Sequence, residues 1–163
     1  MPGPLGDASR LRVAVIVSRF NAEITDRLRD GAVAALREAG AAESAIEVIP
    51  VPGAFEIPQA ARAAAETGRF DAVVCLGCLI RGETTHFEYI AAAAAHGITD
   101  AAGETGVPMA FGVLTTNTVE QAIERAREGP DNKGREAAAA AIEMAALYRT
   151  LAATHSRPSG FRA

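Results

Sequence analysis

The sequence predicts an α/β protein: a three-layer α/β/α sandwich in which a doubly wound, four-stranded parallel sheet is flanked by helices. Three observations predict it. Strand-length apolar runs alternate with helical stretches of ten or more residues. The runs are unbroken rather than alternately apolar and polar, as expected for strands covered on both faces. Alanine, the best helix former, accounts for 37 of the 163 residues and concentrates between the runs. The length fits one domain.

The elements follow in order. Residues 1–11 are Gly-, Pro- and polar-rich and read as an N-terminal arm. Val13-Ala14-Val15-Ile16-Val17 is the first strand, ended by Ser18-Arg19-Phe20-Asn21. Across residues 22–39 the apolar positions Ile24, Leu28, Ala32, Ala35, Leu36 and Ala39 have helical spacing, and Gly40 is a stop signal. Ile46 to Val51 is a second strand closed by Pro52-Gly53, followed by a helix from about Ala54 to Thr67 and Gly68. Ala72 to Leu76 is a third strand bounded by Gly77, and a helix runs from near Thr85 to about Ala101. Met109 to Leu114 is the fourth strand. Asn117 opens a fourth helix, and a fifth runs from Gly134 to about Ala153. Residues 12–154 form the single domain; 155–163 are a polar, flexible tail. Crossovers should be right-handed.

Composition excludes several classes. Lys and Arg number 16 against 20 Asp and Glu, a net charge of −4, which argues against a binder of nucleic-acid backbone. No apolar run approaches the roughly 18 residues of a membrane span. Met1-Pro2-Gly3-Pro4 lacks the basic and apolar regions of a signal peptide. Two cysteines make no disulfide framework, so a reducing cytoplasm is the default location.

Open parallel sheets bind ligands outside the carboxyl ends of their strands. Phe20, Phe55 and Phe111 lie in or just before the four strand-to-helix turns of a chain that is only 5% aromatic, which favours a flat ligand with a polar end. The third turn, Gly77-Cys78-Leu79-Ile80-Arg81-Gly82-Glu83-Thr84-Thr85-His86, runs from a strand into a helix whose first N–H groups offer a phosphate seat. Gly82 admits a close backbone approach, Thr84 and Thr85 add hydroxyls, and Thr85 with Glu88 has capping-box spacing. Gly77, Gly82 and Thr84 have the spacing of a nucleotide P-loop, but Glu83 replaces its lysine and would repel a polyphosphate. An NTPase is rejected and a smaller phosphate group retained.

His86, in the first helical turn, is expected to stay neutral and able to accept a proton. His96 and His155 lack that setting. Cys75 and Cys78 form C-x-x-C, but residues three apart on a strand face opposite ways, so neither a redox dithiol nor a zinc site is expected. By position alone, Arg125 and Lys133 are ordinary surface charges.

Six segments together resemble the lumazine synthase family. They are Arg19-Phe20-Asn21, Val51 to Pro58, Gly77 to Tyr89, Phe111 to Thr116, Glu120 to Ala126 and Asn132-Lys133-Gly134, in that family's order and spacing across about residues 12–152. The resemblance implies a flavodoxin-like sheet and a cofactor-free, metal-free transferase of riboflavin biosynthesis. It would condense 5-amino-6-(D-ribitylamino)uracil with 3,4-dihydroxy-2-butanone 4-phosphate. It implies that Phe20 stacks on the pyrimidine and that Ala54, Phe55 and Glu56 line the ribityl pocket. Backbone groups of Cys78, Leu79 and Ile80 would bond the ring, Glu83 and Thr84 would hold the phosphate, and Arg125 would give it a counter-charge. His86 is the implied acid/base, with Phe111 and Lys133 closing the pocket from a neighbouring subunit. A homopentamer is implied, with the arm extending a neighbour's sheet and a sixty-subunit shell as the larger alternative. Riboflavin synthase is the implied protein partner. The sequence departs from the commoner family pattern at Arg127-Glu128-Gly129-Pro130-Asp131, a link associated with assembly, and the free pentamer is favoured. Two other readings are a flavodoxin-like flavin-binding module and an inactive shell-forming protein. The first is disfavoured because the phosphate turn follows the third strand rather than the first. The second would not need Phe20, Glu56, His86 and Arg125 all intact.

Overall fold

The structure is a computed structural model that describes residues 4–155. Met1 to Gly3 of the expected arm, and residues 156–163 of the expected tail, lie outside the described residues. Four strands, β1 (Val13–Ser18), β2 (Ile46–Val51), β3 (Ala72–Ile80) and β4 (Met109–Thr116), alternate with α1 (Ala22–Glu38), α2 (Ile57–Glu66) and α3 (His86–Thr105). The chain closes with α4 (Val119–Arg125) and α5 (Lys133–His155). The strands are parallel in the order β2-β1-β3-β4. This is the doubly wound, flavodoxin-like α/β/α sandwich that the unbroken apolar runs predict.

Alternation along β1 divides the core between the two faces. Val13, Val15 and Val17 join Leu28 and Leu36 of α1, Ala122 of α4 and Ala126 just after it, and Ala138 and Ile142 of α5. Ala14 and Ile16 join Ile57 and Ala61 of α2 and Ile98 of α3. Thus α1, α4 and α5 form one helical layer, and α2 and α3 the other. Ala8 and Leu11 are buried in the first layer, and the Ala8 N–H donates to the Ala39 carbonyl at 2.8 Å.

Several boundaries differ from the sequence reading. The expected stop at Gly77 is absent: β3 continues to Ile80 because β4 pairs with it as far as Thr116. Gly77 is a packing position instead, where a Cβ would press on Ile57 Cδ1 at 3.1 Å. The helix expected from Ala54 begins as a 3-10 turn, Ala54–Glu56, before α2. Another 3-10 turn, Glu43–Ala45, precedes β2. α3 runs on to Thr105, where Gly106 takes the left-handed conformation (φ 70°) that ends it.

The N-terminus of α5 lies directly on α1. A Cβ at Gly134 would overlap the Leu28 carbonyl oxygen, and one at Gly31 would overlap the Asn132 side chain. Small residues are therefore required on both helices at this crossing. Because the obstacle at Gly134 is backbone, Gly134→Ala is expected to cost at least the roughly 1–3 kcal/mol typical of overpacking. Denaturant unfolding checks this; an unchanged midpoint would contradict the close packing.

Candidate active site

The candidate site is built on the overhang of β3. Its last pairing with β1 joins Val17 to Leu76, so Gly77–Ile80 have β4 on one side only. Alternate residues in a strand present their backbone groups to opposite neighbours. The Val73 N–H donates to Pro108 and that of Arg81 to Thr116, both on the β4 side. Leu79 therefore also turns its backbone toward β4, whereas Cys78 and Ile80 turn theirs to the side that β1 has vacated. The Cys78 carbonyl there accepts from Asn21 Nδ2 at 2.9 Å. The remaining backbone groups of Cys78 and Ile80 form an open strand edge, able to bond the rim of a planar heterocycle.

Asn21 supplies that bond because it occupies the left-handed region, at φ 61° and ψ 46°, just before α1. Asparagine is among the few residues that enter this region readily. The turn is held further by Thr25, whose hydroxyl donates to the Ser18 carbonyl at 2.7 Å, and by the Arg19 N–H, which donates to Val51 at 2.8 Å. Phe20 and Phe55, at the ends of β1 and β2, are 64% and 57% exposed. Ala54 is buried, and Glu56 is half-buried beside Gly53, where a Cβ would lie 3.5 Å from Glu56 Oε1. Two bare aromatic rings and a carboxylate thus border the open edge.

Beyond Ile80 the chain forms a loop before α3. Glu83 and Thr84, expected among the helix-start amides, lie in this loop, and His86 is the first residue of α3. All three are exposed. The N–H groups of Gly82, Glu83 and Thr84 donate to no protein group among the described residues. A Cβ at Gly82 would meet nothing within 4 Å, so nothing in the chain itself requires glycine there. The expected Thr85–Glu88 capping box does not form. Glu88 pairs with Arg81 at 2.8 Å instead. Arg81 also donates through Nε to Asn117 Oδ1 at 3.0 Å and lies 5.1 Å from the Phe87 ring centroid. The side chain of Arg81 thereby anchors the loop to the β4–α4 turn. The capping box is at α4, between Thr118 and Gln121.

Three site residues predicted from sequence are not on this rim. Phe111 pairs with Cys75, five strand residues before Thr116, or about 16 Å back from the end of β4. It lines a shallow hollow of about 330 Å³ together with Lys133, Glu136 and Ala140. Lys133 forms an ion pair with Glu136 at 2.9 Å. Arg125 ends α4, in the helical layer opposite α3 and His86, and its guanidinium donates to the Gln121 carbonyl at 3.1 Å. A hollow of about 720 Å³ between α1 and the α4–α5 link is lined by none of the expected site residues. The chain therefore presents a rim at the carboxyl ends and, away from it, Phe111 with Lys133 in one hollow and Arg125 at the end of α4.

The profile of the 6,7-dimethyl-8-ribityllumazine synthase family matches residues 10–149. The chain belongs to this family. It is 53% identical over 144 residues to a protein of Chlorobium phaeovibrioides (strain DSM 265 / 1930) named 6,7-dimethyl-8-ribityllumazine synthase, covering 88% of this chain and 93% of that one. The match spans every element that forms the rim, and family membership makes the chain a transferase of riboflavin biosynthesis acting on small molecules.

This member's cysteines sit on opposite faces of β3, Cys75 toward α2 and α3 and Cys78 toward α1 and α5. Burial pushes their thiols up from 9.0, to about 12 for Cys75 and about 11 for Cys78. No group of three or more His, Cys, Asp or Glu is suited to hold a metal among the described residues. At pH 8, below both values, the thiolate is scarce. Iodoacetamide is expected to leave both cysteines unmodified in the folded protein and to label both in urea. Rapid labelling without urea would show that one of them is accessible.

Proposed function

We propose that the chain condenses 5-amino-6-(D-ribitylamino)uracil with 3,4-dihydroxy-2-butanone 4-phosphate to give 6,7-dimethyl-8-ribityllumazine, phosphate and water, with no cofactor. The observation that carries the reading is the unpaired edge of β3, at the same end of the sheet as the exposed Phe20 and Phe55, followed by a loop with free N–H groups. An edge of alternating donors and acceptors beside bare rings suits a pyrimidine. Free amides behind a glycine with open space suit a phosphate monoester.

In this assignment Phe20 stacks on the pyrimidine, while backbone groups of Cys78 and Ile80 bond its edge. Leu79 contributes mainly its side chain, because its backbone belongs to the β4 ladder. Ala54, Phe55 and Glu56 line the ribityl chain, the carboxylate accepting from hydroxyls. Amides at Glu83 and Thr84 hold the phosphate and offset the nearby Glu83 carboxylate. Arg125, Lys133 and Phe111 of a neighbouring copy complete the pocket, Arg125 giving the phosphate its counter-charge. The separation of these three from the rim within one chain supports this division. The assembly is a cyclic homopentamer, favoured over a sixty-subunit shell, and works in the cytoplasm with riboflavin synthase as the consumer of its product. Among the described residues, no helix is long and apolar enough to cross a membrane.

The 5-amino nitrogen attacks the ketone, and loss of water forms a Schiff base. Removal of a proton next to that carbon allows phosphate to leave. The enol left on the adjacent hydroxyl-bearing carbon takes up a proton at its terminal carbon and becomes a ketone. The ribitylamino nitrogen closes the ring on this new carbonyl, and a second water departs. His86, at the start of α3 beside the phosphate loop, relays the protons. Holding two substrates in register can contribute roughly 7–11 kcal/mol, whereas one acid/base contributes about 10²–10⁴-fold. Positioning therefore accelerates the reaction more than proton transfer does.

Mixing both substrates with the protein should yield lumazine absorbance and free phosphate in equal amounts. A bound flavin reducible by dithionite, without turnover, would favour the flavin-carrier reading. Arg125→Ala should raise KM for the butanone phosphate far more than for the aminouracil; equal changes would remove Arg125 from the phosphate site. His86→Ala should lower kcat by roughly one to three orders of magnitude with binding retained. Joint loss of binding and folding would make His86 a structural residue.

A further inference from the structure

Asn132 has no part in the roles assigned above, yet its buried side chain joins three elements. Asn132 is only 2% exposed. Its Nδ2 donates to the Ala126 carbonyl at 3.0 Å and to the Arg27 carbonyl at 3.2 Å. Its Oδ1 accepts from the Arg135 N–H at 3.0 Å, capping the first turn of α5. One amide thus fastens the C-terminus of α4 and the N-terminus of α5 to the middle of α1. Gly31 makes room for it, since a Cβ there would overlap the amide.

The attachment points adjoin the charged residues assigned to the neighbour-facing half of the site. Arg125 immediately precedes Ala126, and Lys133 immediately follows Asn132. The five residues between Ala126 and Asn132 are exposed. Their described backbone bonds are local, from the Arg127 N–H to Glu124 and from the Asn132 N–H to Gly129. The spacing between Arg125 and Lys133 is held by the buried amide rather than by the link.

We propose that Asn132 is a positioning residue that fixes Arg125 relative to Lys133 and thereby sets affinity for the phosphorylated substrate. This rests on the assignment of Arg125 to the phosphate. It also accounts for a link that reads Arg127-Glu128-Gly129-Pro130-Asp131: its composition can change while the clamp remains.

Asn132→Ser separates the clamp from the cap. A serine hydroxyl still caps a helix but is too short to reach both carbonyls. In the assembled enzyme, KM for the butanone phosphate should rise at least about fivefold, while KM for the aminouracil changes less than about twofold. In an Arg125→Ala background, the serine should add less than about twofold, because the residue it positions is gone. If Asn132→Ser does not fold, Gly31→Ala displaces the same amide from the α1 side and should give the same split. Equal changes in both KM values, or effects that multiply in the double variant, would show a purely structural residue and overturn the proposal. If Arg125→Ala shifts the phosphate KM and Asn132→Ser does not, only the positioning role falls. If Arg125→Ala shifts nothing, the underlying assignment falls as well.

Discussion

Backbone N–H and C=O groups have to be paired or solvated, and β3 continues past the point where β1 stops pairing with it. That mismatch in strand length leaves Cys78 and Ile80 with an open edge at the centre of the sheet. Everything on the rim is arranged around it. Asn21 takes one carbonyl, Phe20 and Phe55 stand exposed beside it, and Arg81 anchors the loop that carries the free amides. Had β1 been as long as β3, the edge would be occupied and the proposed pyrimidine site would have no open backbone groups.

The same topology separates the remaining charge from the rim. α3 begins at the rim on one side of the sheet, while α4 packs on the other side and ends at Arg125. Phe111 and Lys133 share a hollow at the β4 edge. Asn132 joins the ends of α4 and α5 to α1, so in the proposed assignment the crossing is the scaffold for Lys133 and Arg125. In that assignment, function depends on the close packing at Gly31 and Gly134.

The fold was legible in the sequence because unbroken strands and Ala-rich helices leave few alternatives. Boundaries were less so. Glycine reads as a stop, but Gly77 lies within β3, since close packing against Ile57 also selects glycine. Thr85 and Glu88 have capping spacing, but Arg81 competes for the glutamate. The pair that does cap, Thr118 and Gln121, carries a similar signal, which the neighbouring Asn117 masks as the more obvious helix opener. The rim residues could be located from the strand ends alone. Phe111, Arg125 and Lys133 could not, because local spacing carries no signal for a site role there; only the resemblance pointed to one. Asn21 and Asn132 act through bonds to carbonyls 57 and 105 residues away in the chain, which no local pattern reveals.

The central claim is that one chain supplies the rim and another supplies Arg125, Lys133 and Phe111. Its most direct test mixes His86→Ala subunits with Lys133→Ala subunits after dissociation and reassembly. In a head-to-tail ring, random mixing joins an intact His86 to an intact Lys133 at about a quarter of the interfaces. Activity should therefore rise well above that of either variant, toward a quarter of the unmodified rate. Verified mixed assemblies no more active than their parents would contradict the account and return both residues to a single chain.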